Sequence, residues 1–236
     1  MSTHGETPKT GARARFLAAI DKAAAPMRLC DACVAALPVD RAAIAVHVDG
    51  VGLEILCASD HIAERLEWEQ ITLGEGPGWD AVSAGGPVVA TDLAGGDGRW
   101  PVFAAEAAWG AGAMYALPLQ VGAIRVGVLD LYCDAADPLS TTDFADAVAV
   151  ADLVSAILLT VGRDGPIIGA LDSWWDQPLS TREVHQATGM VMAQLDVDAR
   201  EAYVRLQAFA YGNDRLISEV AREVVARQLR FDRDVP

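Results

Sequence analysis

The chain has 236 residues, enough for one large domain or two small ones. With 52% hydrophobic and 22% charged residues it is neither disordered nor fibrous, because it can bury enough apolar surface to offset the entropy of ordering. Eighteen Lys and Arg face 33 Asp and Glu, a formal net charge of −15, which argues against a passive polyanion binder: such a field repels nucleic acid and anionic membranes at long range, so any nucleic-acid contact must be a local basic patch.

Residues 1–12 are polar and lack an apolar signal core, so they are expected to form a disordered tail on a cytoplasmic chain. A helical pattern follows from Arg13 to Leu37, with Pro26 placed to kink or split it. Two β-branched runs, Ala42–Val48 and Leu53–Ser59, flank Asp49-Gly50-Val51-Gly52 and predict a hairpin. Residues 60–110 mix a short helix and glycine-rich turns with Trp68, Trp79, Trp100, Phe103 and Trp109, which makes this the expected pocket region.

Two further strands are predicted at Gly112–Pro118 and Arg125–Tyr132. A helix then runs from Thr142 to Val161, with Ser140, Thr141 and Asp143 as capping candidates. Its apolar stretch, interrupted by Asp146 and Asp152, falls short of the ~20 residues a membrane span needs. The element order predicts an α+β domain over 13–163, an antiparallel sheet with helices packed on one face. Residues 164–178 are the expected linker.

From 179 to 236 the pattern is all-α: helices over Thr181–Leu195, Ala199–Tyr211 and Arg215–Leu229. Ser180-x-x-Glu183 and Asp198-x-x-Glu201 have the capping-box spacing, and Asn213 or Asp214 is a candidate cap for the third helix. Val184, Ala187 and Val191, then Ala202, Leu206 and Phe209, then Ile217, Val220, Ala221 and Val224 each form one apolar face. A three-helix bundle this small is expected to lean on the linker, a dimer partner or the first domain.

The segment Thr181-Arg182-Glu183-Val184-His185-Gln186-Ala187-Thr188-Gly189-Met190-Val191-Met192, followed by Ala202-Tyr203, Leu206, Arg215 and Val220-Ala221, resembles an ANTAR domain, the RNA-binding module of bacterial transcription antiterminators. Thr188 stands where that family's motif has lysine, Gln207 where it has arginine, Ala210 where it has serine and Asp214 where it has asparagine. The first ~160 residues resemble a GAF domain, a small-molecule sensing module. That resemblance rests on Leu73-Gly74-Glu75-Gly76-Pro77-Gly78, Gly86-Pro87-Val88, Asp92-Leu93, Trp100-Pro101 with Phe103, Leu117-Pro118-Leu119 and Gly127-Val128-Leu129-Asp130-Leu131. Together they imply a sensor–antiterminator of the kind found in actinobacteria.

The candidate ligand wall is Trp79, Trp100 and Phe103 with Met114, Tyr115 and His61; the GAF resemblance leaves the ligand open. Cys30-x-x-Cys33 has a chelating spacing, but it sits in a helical pattern with no second pair, and burial is the simpler reading. Four cysteines are too few for a disulfide scaffold and fit a reducing compartment. Gly74-x-Gly76-x-Gly78 fits neither phosphate-loop pattern, and Pro77 removes an amide, so a structural turn is expected. No catalytic constellation and no metal-ligand set is visible, and an enzyme is not expected.

Over residues 167–236 eight arginines face eleven acids, a net of −3 against −12 for the preceding residues, so only the bundle can form a local positive face. The candidate RNA contacts are Arg182, Gln186, Thr188, Arg205, Tyr211 and Arg215. The expected function is signal-responsive antitermination by binding stem-loops in nascent RNA, with a homodimer presenting two bundles. The alternative is a protein-interaction or dimerisation regulator whose bundle, altered at four family positions, does not bind RNA.

Overall fold

A computed structural model describes residues 11–21, 29–48, 52–95, 98–162 and 178–232. The expected tail, apart from Gly11 and Ala12, the Pro26 kink, the 49–51 turn and nearly all of the linker lie outside these residues. The first domain runs α1 (Ala12–Asp21), α2 (Leu29–Ala36), β1 (Arg41–Val48), β2 (Gly52–Ala58), α3 (His61–Leu73), α4 (Pro77–Ala84), β3 (Val88–Ala90), α5 (Pro101–Ala107), β4 (Ala113–Val121), β5 (Ile124–Cys133) and α6 (Thr141–Gly162). The strands form one antiparallel sheet in the order β2-β1-β5-β4-β3. The strands of the predicted hairpin and the two further predicted strands are present, each pair antiparallel, and the short edge strand β3 is an addition.

The expectation of helices on one face is corrected: both faces are covered. α1, α2 and α6 pack with Ile44, Leu56, Leu117 and Leu129 on one side, while α3, α4 and α5 pack with Ala45, Ile55, Met114 and Val128 on the other. A strand buried on two faces has no reason to alternate with polar residues, and the run Ala42-Ala43-Ile44-Ala45-Val46 is buried throughout. Ser140 is the cap of α6, its hydroxyl accepting from the Asp143 N–H at 3.1 Å.

Cys30 and Cys57 are joined in a disulfide, which corrects the expectation of four reduced thiols. Packing of α2 on the sheet brings the two Cα atoms to 6.4 Å, within disulfide reach. Cys33 and Cys133 are buried and free, and burial pushes the Cys133 thiol up to about 11. Such thiols are poor nucleophiles.

Three helices follow: α7 (Leu179–Leu195), α8 (Ala199–Gly212) and α9 (Ile217–Val225). Their facing apolar positions are buried as expected, except that Phe209 is partly exposed and packs edge-on against Phe231 at 5.3 Å. Asp198 caps α8 by accepting from the Glu201 N–H at 2.8 Å. Neither Asn213 nor Asp214 caps α9; Asn213 donates instead to the Phe209 carbonyl, closing α8, and the α9 cap position is Leu216.

Gly127 of β5 lies at the closest approach of two central strands. A Cβ there would sit 2.0 Å from the Ala45 carbonyl oxygen of β1. The Gly127→Ala variant is therefore expected to lose about 2–4 kcal/mol of stability, read as a lower urea midpoint by tryptophan fluorescence.

Candidate nucleic-acid interface and its docking seam

α7 divides its polar residues between two environments. Arg182 and Gln186, four apart, are exposed on one face. On the other side of the helix, Ser180, Thr181 and Val184 are buried against the first domain, and Thr188 is half-buried with its hydroxyl on the Val184 carbonyl at 2.8 Å. On α8, Arg205 pairs with Glu201 at 2.8 Å and Tyr211 is exposed. Arg215, between α8 and α9, is half-buried and held by Glu223 at 2.8 Å. Arg222 lies 3.4 Å from Glu183. Among the described residues Arg182, Arg200 and Arg227 have no ion pair, so Arg182 with Gln186 is the part of the candidate interface that is open.

Other polar residues of α7 and α8 are tied to the first domain. Ser180, expected as a cap, lies inside the first turn of α7; it accepts from Trp68 Nε1 at 3.1 Å and donates to Glu64. The Thr181 hydroxyl donates to the Ile55 carbonyl at 3.3 Å, and His185 Nε2 sits 3.1 Å from Glu54 Oε2. Gln207 Nε2 donates to the carbonyls of Ile71 and Thr72 at 2.7 and 3.3 Å, satisfying acceptors that the end of α3 leaves open. In return Thr72 Oγ1 accepts from the Ile217 N–H at 3.0 Å, acting as the N-cap that Leu216 lacks an oxygen to provide. Each domain caps a helix of the other. The apolar side chains around these bonds form one core, which runs from the sheet through α3 into the bundle.

Two cavities open along this seam. One, of about 260 Å³, is polar and puts Tyr211 and Arg215 opposite Arg65 and Glu69 of α3. The other, of about 280 Å³, lies between the β1–β2 hairpin, Trp68, α7 and α8. Tyr203 lines it, and burial, with the Glu54 charge, pushes its phenol up.

Under the sheet, α3 and β5 build a buried polar cluster. Tyr132 donates to Glu67, Gln70 Nε2 donates to Asp130 Oδ2 at 2.9 Å, and Gln70 Oε1 accepts from the Gly78 N–H at 2.8 Å. This explains the glycine-rich turn as a structural one: a Cβ at Gly76, whose φ is +140°, would meet Gln70 Oε1 at 2.4 Å, and one at Gly78 would meet Asp130 Oδ2 at 2.7 Å. Burial, and then the Glu67 charge, raises the Asp130 carboxyl well above the usual carboxylate range; burial also raises Glu67. Burial side by side disfavours ionising both carboxyls together.

The candidate ligand wall does not assemble as one surface. Trp100 lines a cavity of about 300 Å³ with Asp92 and Arg99, and its Nε1 donates to Asp80 at 3.0 Å. Phe103 and Met114 are fully buried in the same core. Trp79 is partly buried, with its Nε1 on the Gln70 carbonyl at 2.9 Å. Tyr115 faces the opposite side of the sheet, since neighbours on a strand alternate, and its hydroxyl accepts from the Leu139 N–H at 2.7 Å. His61 is exposed at the start of α3. Among the described residues no group of three or more metal-binding side chains occurs, and no helix is long and apolar enough to cross a membrane.

The family model described as the ANTAR domain matches residues 178–225. Residues 178–225 are an ANTAR domain. Its three helices are α7, α8 and α9, and it follows the five-stranded antiparallel sheet and its helices. No curated protein matches the chain. Solved structures similar to it include the GAF domain from an Acinetobacter phosphoenolpyruvate-protein phosphotransferase, at 11% identity, 66% of this chain, 95% of that one and a TM-score of 0.49. Another is the GAF domain from a phosphoenolpyruvate-protein phosphotransferase of Coxiella burnetii, at 13% identity, 65% of this chain, 92% of that one and a TM-score of 0.46. The ANTAR domain docks through Ser180, Thr181, His185 and Gln207, residues that sequence reasoning did not assign to a seam. The available signal was α3, where Glu67, Glu69, Gln70 and Thr72 interrupt an apolar helix and are all buried.

The Glu67–Asp130 pair has a stability consequence. Carboxyls with raised folded-state values favour the protonated fold, so their contribution is intact below about pH 4 and is lost as pH rises through the raised values. Asp130→Asn keeps the acceptor for Gln70 and removes one ionisable group. It is expected to raise the urea midpoint near pH 7 by the equivalent of about 1–3 kcal/mol and to flatten its decline with pH, as measured by unfolding titrations from pH 4 to 8.

Proposed function

We propose that the protein is a signal-responsive transcription antitermination regulator. Its ANTAR domain binds stem-loops in nascent RNA, and the GAF-like domain controls access to it. The observation that carries this reading is the seam itself. An ANTAR domain shares a core with the preceding domain, and the two cap each other's helices, so that the Thr188 side of α7 faces the first domain and Arg215 lies beside Glu69 while Arg182 and Gln186 stay exposed. The docked arrangement is the low-affinity state. Undocking uncovers the Thr188 side of α7 and removes Glu69 from beside Tyr211 and Arg215, so that these residues join Arg182, Gln186 and Arg205, with phosphate displacing Glu223 from Arg215. Arginines then meet phosphates, and glutamine and tyrosine meet unpaired loop bases.

In this reading the protein acts in the cytoplasm, as a homodimer joined through α1 and α6, where Leu17 is exposed and Val148, Leu153 and Ile157 are only partly covered by the core. Two bundles on two hairpins gain avidity that one bundle lacks. No catalytic step belongs to this function. A second reading, an interaction module without RNA binding, is favoured by the ion pairs that occupy Arg205, Arg215 and Arg222.

Fluorescence anisotropy of the full chain against a two-hairpin RNA and a scrambled control, at several salt concentrations, separates them. The antitermination reading expects loop-dependent binding with a log–log salt slope of about −2 to −3, for three or four phosphate contacts. Thr72→Val, which removes the cap on α9 but keeps side-chain shape, should tighten binding several-fold, and Arg182→Ala should weaken it and flatten the slope. Salt-insensitive binding, or none by either the wild-type chain or Thr72→Val, overturns this function in favour of the interaction module.

A further inference from the structure

The seam cavity between the β1–β2 hairpin and α7 has the makings of a ligand site. Its volume is about 280 Å³, close to the lower end of the range typical for small-molecule pockets. Its walls are Leu53, Trp68, Val184, Met192 and Tyr203, drawn from both domains, and they give it an apolar and aromatic interior. A single carboxylate, Glu54, lines it. Glu54 is only 7% exposed, and its Oε2 accepts from His185 Nε2 at 3.1 Å. No arginine or lysine lines the cavity among the described residues. A buried carboxylate with one partner retains strong acceptor capacity, and aromatic walls beside it favour a cation over a neutral or anionic guest.

We propose that this cavity binds a small organic monocation, a ring or branched apolar body carrying one ammonium group that pairs with Glu54. Because sensor and ANTAR residues both contact the guest, occupation holds the bundle docked. A ligand that needs both walls binds the docked form and shifts the population toward it. Thr188 fits this assignment. The lysine of the family motif would carry its own ammonium into the pocket rim, whereas threonine leaves the space open and returns its hydroxyl to the Val184 carbonyl. Gly189 beside it leaves the cavity wall bare, with nothing within 4 Å of where a Cβ would stand.

The occupant's chemistry and its effect on docking are separable. The first stands on the cavity alone; the second also rests on the docked form being the low-affinity RNA state. Calorimetry and thermal unfolding of the full chain, without RNA, test the first. The probe is 2-phenylethylammonium, with 2-phenylethanol and phenylacetate as neutral and anionic compounds of similar shape. The expected result is saturable one-site binding of the ammonium compound, at least tenfold tighter than phenylacetate, with a rise in Tm. Glu54→Gln should abolish the preference for the ammonium compound over the alcohol. Gly189→Leu should fill the cavity and weaken binding at least tenfold while the chain keeps its Tm, since leucine is the better helix former. Equal affinity for the cation and the anion, binding untouched by both variants, or no saturable binding overturns the site. Anisotropy with the two-hairpin RNA then tests the coupling. The ammonium probe should lower RNA affinity of the wild-type chain and leave Gly189→Leu unaffected; probe binding with unchanged RNA affinity overturns the coupling and leaves the site standing.

Discussion

Everything in this molecule is arranged around a helix that is buried on every side. Leu66 to Thr72 of α3 are all inaccessible, which one face of a helix cannot produce, because successive residues turn by about 100°. The sheet and α4 cover one side, and the ANTAR domain covers the other. Burial all round carries a polar obligation, since Glu67, Glu69, Gln70 and Thr72 need partners away from water. Glu67 and Gln70 find theirs beneath, in Tyr132, Asp130 and the Gly78 amide. Thr72 finds its partner above, in the first turn of α9. The helix thereby couples the interior of the first domain to the position of the ANTAR domain.

That coupling gives the departures from the family motif a physical meaning. Gln207 stands where the motif has arginine. Its amide reaches the Ile71 and Thr72 carbonyls, a task for a short neutral donor at a helix end that is largely enclosed. An arginine would put a full charge at the same seam and need its own counter-ion. Thr188, in place of lysine, keeps a charge out of an apolar cavity. Gln207 makes a contact that only the docked form has, whereas the Thr188 hydroxyl bonds within its own helix and serves the docked form by leaving the cavity open. Under the proposed function, loss of phosphate-binding charge and better fit of the docked form arise from the same substitutions.

Much of this fold was legible from patterning. The bundle helices carry clean apolar faces at Val184, Ala187 and Val191 and at Val220, Ala221 and Val224, and all six are buried. The β1–β2 and β4–β5 hairpins follow from β-branched runs separated by turn residues. The second layer of helices was also written in the strands, because Ala42 to Val46 are apolar without alternation, which signals burial on both faces. The seam was not legible. Hydrogen bonds such as Thr72 to Ile217 and Trp68 to Ser180 join residues more than 100 positions apart, and no local period records them. The cap of α9 was misplaced for the same reason: the oxygen that serves it comes from another domain. Tyr115 was grouped with Met114 by proximity in sequence, although adjacent strand residues face opposite sides.

Charge supplies the last constraint. The first domain and linker carry nearly all of the −15, and Glu54, Glu64 and Glu69 stand along the seam beside the docked bundle. At physiological salt the screening length is about 8 Å, so a phosphate approaching Arg215 in the docked form feels these carboxylates as well as the arginine. The Tyr211–Arg215 cavity places Glu69 and Glu219 at that distance scale, and Arg215 is already neutralised by Glu223. Under the proposed function, docking opposes RNA in two ways, by covering the Thr188 side of α7 and by setting Glu69 beside Tyr211 and Arg215. Moving the bundle away from α3 relieves both, while the Arg215–Glu223 pair stays within the bundle and yields only to a phosphate. On that reading so acidic a protein serves as an RNA regulator because the carboxylates of α3 oppose RNA in the docked state alone.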